Sequence, residues 1–79
     1  MEKVEELLIA RYINQDEELK KHWEEHQRYE KVLEDFNKRV YLTPQEEIEK
    51  KKIQKMKLAG KDRIHEILSR YRDLESKNN

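Results

Sequence analysis

The chain has 79 residues, 18 basic and 18 acidic side chains, no cysteine and 34% apolar content. Those figures exclude more than one domain, a disulfide framework or thiolate zinc site, and the basic excess of a dedicated nucleic-acid binder. A core this thin needs unusually regular helix packing or self-association.

The first segment, Met1-Glu2-Lys3-Val4-Glu5-Glu6, is acidic where a signal peptide would be basic and then apolar. The apolar run that follows, Leu7 to Ala10, is far shorter than the roughly 20 residues of a membrane span. A soluble cytoplasmic protein is the expectation. Val4, Leu7, Leu8, Tyr12 and Ile13 outline a short amphipathic helix over residues 2–13. Asn14-Gln15-Asp16 either interrupts the chain there or lets it run on with a bend.

From Asp16, a plausible N-cap, a long helix is expected over residues 16–37. Leu19, His26, Leu33 and Val40 repeat every seven residues, with His22, Tyr29 and Phe36 between them. That is a heptad seam with two histidines in it. Asn37 tolerates the left-handed cap geometry and suits the end.

Residues 38–43 form the expected turn. Thr43 can cap the next helix with its hydroxyl, Pro44 fits the first helical position, and Glu46 completes a capping box. The second long helix is predicted over residues 44–75, roughly 48 Å long, with 76–79 as a frayed tail. Its stripe runs through Ile53, Met56, Gly60, Ile64, Ile67, Tyr71 and Leu74.

A short link forces two long helices to lie antiparallel. The predicted fold is therefore all-α, a single 1–79 helical hairpin with a short N-terminal helix, assembling into a four-helix bundle. Counting outward from the link places Glu30 near Lys51, Glu24 and Glu25 near Lys57, and Glu18 near Arg63. The second long helix outruns the first. Ile67, Leu68, Tyr71 and Leu74 then need cover, which Leu7, Leu8 and Ala10 of the N-terminal segment would supply as a lid.

Glu25-His26-Gln27-Arg28-Tyr29-Glu30-Lys31-Val32-Leu33-Glu34-Asp35-Phe36 resembles the E-H-x-x-L-D/E-x-x-I-x-x-L run of the YdcH-like family of small bacterial proteins. Ile53, Lys57-Leu58 and Lys61-Asp62-Arg63-Ile64 resemble that family's L-x-x-x-K-L-x-L-K-D-x-I run. The resemblance spans roughly residues 16 to 70. It implies an associating antiparallel hairpin of unassigned function with no catalytic residues. Gly60, Tyr29 and Phe36 depart from the family pattern, which has apolar and aliphatic side chains at those places.

His22-Trp23-Glu24-Glu25-His26 matches H-x-x-E-H, a zinc-protease pattern. Its histidines share a face with Leu19 and Leu33, so packing at the seam, with acids bonded across it, outweighs metal binding. The count from the link puts His65 opposite residue 16, nearly two turns from His22. Trp23, Tyr29, Phe36 and Tyr71 fit core packing better than a base-stacking platform. The paired carboxylates Glu17-Glu18, Glu24-Glu25 and Glu34-Asp35 point about 100° apart and do not converge. Gly60, opposite Trp23 by the same count, is expected to leave a hole for Trp23 or His22.

No catalytic residue, cofactor or metal site is expected. A hairpin leaves apolar flanks uncovered, and Val32, Ile48, Leu58 and Leu68 form the candidate interaction surface. Lys50, Lys51, Lys52, Lys55 and Lys57 form a candidate basic face. The expected function is non-catalytic self-association, as a homodimer, or binding of another protein. A weak nucleic-acid role for the Lys50–Arg63 stretch is the alternative.

Overall fold

A computed structural model describes residues 2–77 of the chain. It holds three helices, α1 (Lys3–Tyr12), α2 (Glu17–Lys38) and α3 (Pro44–Lys77), and no strand among those residues. The fold is all-helical.

Helix α1 turns Leu8 and Ile9 inward and leaves Leu7 exposed, where Leu7 had been expected to cover α3. Apolar residues at 4, 7, 8, 9, 12 and 13 spread over about 240° of the helix, and packing on α3 covers only part of that arc. The chain then breaks. Gln15 and Asp16 N–H groups both close on the Tyr12 carbonyl at 3.0 Å, and Asp16 then turns extended (φ −123°, ψ 103°), so α1 and α2 are separate helices.

Asp16 caps α2 by accepting from the Leu19 amide at 3.0 Å. The carboxylate also accepts from the Tyr71 hydroxyl at 2.6 Å, which ties the start of α2 to the end of α3. These two donors, Tyr71 first, hold the Asp16 carboxyl below its usual pKa, and the hydrogen bond to Asp16 in turn raises that of Tyr71. Helix α2 closes with the Arg39 amide bonded to the Phe36 carbonyl at 3.2 Å. Val40 follows beyond the helix end and is 90% exposed. The heptad repeat therefore stops at Leu33 and Phe36, because a seam position acts only while the backbone is helical.

The capping box of α3 forms in full. Glu46 N–H donates to Thr43 Oγ1 and Thr43 N–H to Glu46 Oε1, both at 3.1 Å. Helix α3 runs for 34 residues and takes in Ser76 and Lys77, which had been expected to fray. Lys77 in the last turn suits the negative end of the helix dipole. Asn78 and Asn79, the rest of the expected tail, lie outside the described residues. At about 1.5 Å per residue, α3 accounts for nearly all of the molecule's 53 Å length.

Contacts between α2 and α3 run in opposite chain directions. Arg39 pairs with Glu46 near the link, Glu30 with Lys57 at 3.5 Å, Glu18 with Arg63, and Asp16 with Tyr71. Glu18 meets Arg63 as expected. Glu30 meets Lys57 rather than Lys51, about a turn and a half further along α3. Long acidic and basic side chains reach a turn or more along a neighbouring helix, so an ion pair need not join directly facing residues.

The principal core lies at the end remote from the link. Leu8, Ile9, Leu19, Ile64, Ile67 and Leu68 are buried together, with Tyr12, Ile13, Trp23 and Tyr71 packed around them. Tyr12 and Tyr71 stack with centroids 4.0 Å apart and planes 10° from parallel. The Tyr12 hydroxyl donates to Glu75 at 2.9 Å, and Arg11 pairs with the same carboxylate. Both donors lower the Glu75 pKa, Tyr12 most. This end of the molecule is closed by α1.

Candidate interaction surface

Toward the link, α2 and α3 meet without a third helix between them and solvent. Leu33, Phe36 and His26 are buried there, and Tyr29, Ile53 and Leu42 are half-buried. Two sides flank this contact, and they differ in chemistry. One is polar, lined by Glu30, Glu34, Asn37, Lys38, Gln54 and Lys57 around Leu33.

On the opposite side lies a shallow cleft lined by Glu25, Arg28, Tyr29, Val32 and Ile53. Val32 is 39% exposed. Met56, three residues from Ile53, and Gly60, one turn beyond it, extend the same side of α3 by helical spacing. Met56 is 42% exposed. A Cβ placed on Gly60 would meet no atom within 4 Å, so neither Trp23 nor His22 fills the space above it. The expected packing role for Gly60 is therefore absent, and its surroundings are open.

The four residues first read as an interaction surface separate into three groups. Val32 lies in the cleft. Ile48 and Leu58 are well exposed, but each stands five residues from Ile53, about 140° round the helix, facing away from α2. Leu68 does not belong to any exposed surface. It is 1% exposed, buried among Leu8, Ile9 and Ile64, because α1 covers that side of α3. Sequence spacing alone missed Tyr29 and Met56 as surface members, having placed both inside the seam.

Of the basic stretch, Lys57 is engaged with Glu30, and Arg63 with Glu18 and Glu66. Lys51, Lys52 and Lys55 are exposed and Lys50 half-buried. At about 100° per residue these lysines point round most of the helix rather than along one face.

The histidines are separated by packing. His26 is 4% exposed, its ring stacked on Trp23 with centroids 5.7 Å apart. Its acid partner is Glu30 at 3.2 Å, one turn along the same helix rather than across the seam. His65 pairs with Glu5 of α1 at 3.1 Å, and Asp16 faces Tyr71 instead of His65. Among the described residues no three His, Asp or Glu side chains converge in a way that could hold a metal ion. No described helix is long and apolar enough to cross a membrane.

No protein-family model matches this chain, and neither does any curated protein or solved structure.

Proposed function

We propose that the chain is a non-catalytic protein-interaction module that associates with a second copy of itself. In this reading α2 and α3 form an antiparallel hairpin, and two hairpins join through the Tyr29, Val32, Ile53 and Met56 side as a four-helix bundle. The opposed order of the α2–α3 pairs supports the hairpin. The observation that carries the assembly is the contrast between an α1-covered core at one end and an uncovered apolar side toward the link.

The charge on that side favours a second copy over other partners. Glu25 and Arg28 border it on α2, and helical spacing brings Glu49 and Lys52 alongside Ile53 and Met56 on α3. Each helix thus contributes one acid and one base. A two-fold contact is self-complementary, so balanced borders of this kind can pair with themselves. Nucleic acid calls instead for a concentrated positive patch. The resemblance to the YdcH-like hairpins is consistent with the same proposal.

Light scattering after size-exclusion chromatography tests it. The expected result is twice the 9.8 kDa chain mass for the wild type, and the single-chain mass for a Val32→Glu, Met56→Glu variant that stays helical. A wild-type monomer at tens of micromolar, or a variant that still dimerises, contradicts the proposal. A retarded band with duplex DNA that weakens steeply with salt would favour the nucleic-acid reading instead.

A further inference from the structure

We infer that His26 is an acid-sensitive latch in the α2–α3 contact, holding the half of the molecule near the link together while neutral and loosening it when protonated. Its two ring nitrogens stand in different surroundings. Nε2 lies 3.2 Å from Glu30 Oε1, and Nδ1 is buried with no hydrogen-bond partner. With Nε2–H donated to Glu30, Nδ1 carries only a lone pair. A neutral imidazole tolerates that arrangement.

Protonation places a second N–H on Nδ1, where no acceptor stands, and a positive charge on a ring that is almost completely removed from water. The neighbours do not offset this. Glu30 favours the charged form, but it is half-exposed and already shared with Lys57 at 3.5 Å. Lys57 and Lys61, both from α3, add repulsion, and burial of the ring outweighs the pull of Glu30. On α2 the ring one turn earlier, His22, has its own Nδ1 buried and unpartnered, so it is not bonded to the His26 ring. On its other face His26 meets Trp23, whose stacking depends on the ring staying in place.

These terms lower the His26 pKa in the folded chain below its ordinary 6.5, burial being the largest. The unfolded chain binds the proton more readily, so the neutral ring's contribution is complete above about pH 6.5 and is lost as pH falls toward the folded-state value. The effect is local. The core of Leu8, Ile9, Leu19, Ile64, Ile67 and Leu68 contains no titratable side chain, whereas Leu33 and Phe36, on the link side of His26, lie outside that core.

Two measurements on the full chain test this. The first is an NMR titration of the His26 ring in the wild type. The expected His26 midpoint lies below about 6.5, with a coincident change in Trp23 emission. A midpoint at or above that value overturns the inference. The second compares thermal midpoints at about pH 7.5 and about pH 5 for wild type, His26→Leu and His65→Gln. His26→Leu should lose more than half of the wild-type fall in Tm, and His65→Gln should keep it. A His26→Leu protein with an undiminished fall overturns the latch, and if that variant fails to fold, the wild-type titration decides.

Discussion

The two ends of this molecule are built from the same helices and reach different degrees of closure. At the end remote from the link, α1 lays Leu8 and Ile9 over Leu19, Ile64, Ile67 and Leu68, and three of those six side chains reach 0–1% exposure. Toward the link, α2 and α3 have only each other. Leu33 and Phe36 keep 8% exposure, Val32 and Met56 are flanking and open, and the one buried polar ring sits between the two regions. The difference teaches that two helices bury one stripe each and no more. A third helix is what converts a seam into a core.

The contrast can be broken first with core truncations. Ile64→Ala removes a fully buried side chain from beneath α1 and should cost about 2–5 kcal/mol by denaturant unfolding. Val32→Ala, on the open side, should cost well under about 1 kcal/mol when measured at concentrations too low for association. Equal costs would mean that α1 does not close the far end as described.

A smaller effect of opposite sign sharpens the same comparison. Gly60 sits within α3 with open space where its Cβ would be, so Gly60→Ala should stabilise the dilute protein by about 0.5–1 kcal/mol. Destabilisation would mean that something fills the space above Gly60 after all. At association-prone concentrations the added methyl group also tests whether a second copy approaches that point.

Much of the helix layout was legible because it rests on local chemistry. Thr43, Pro44 and Glu46 specify a helix start within a few residues of chain, and the two capping hydrogen bonds form as those residue types require. Asp16 works likewise. Positions decided by tertiary contact were harder to read. Leu7 and Leu8 look equivalent in a sequence, and only the direction from which α3 approaches distinguishes them. Leu68 read as an uncovered flank because periodicity assigns faces within a helix, not the place where another helix crosses it. Val40 kept the heptad spacing but lies past the end of the backbone that gives spacing its meaning. The exposed side around Val32 was half legible. Val32 itself stands off the seam, while Tyr29 and Met56 share the spacing of core residues and stay partly open because no third helix covers that side.

Amide hydrogen exchange at low and high protein concentration tests the account most directly, because it reads both regions in one experiment. Amides near Leu19 and from Ile64 to Leu68 should exchange slowest, and at a rate that does not depend on concentration. Those of residues 29–36 and 49–58 should exchange faster in dilute solution and gain protection as concentration rises. Uniform protection along α3, or concentration-dependent protection confined to the α1 end, would contradict a closed core at one end and a self-binding side at the other.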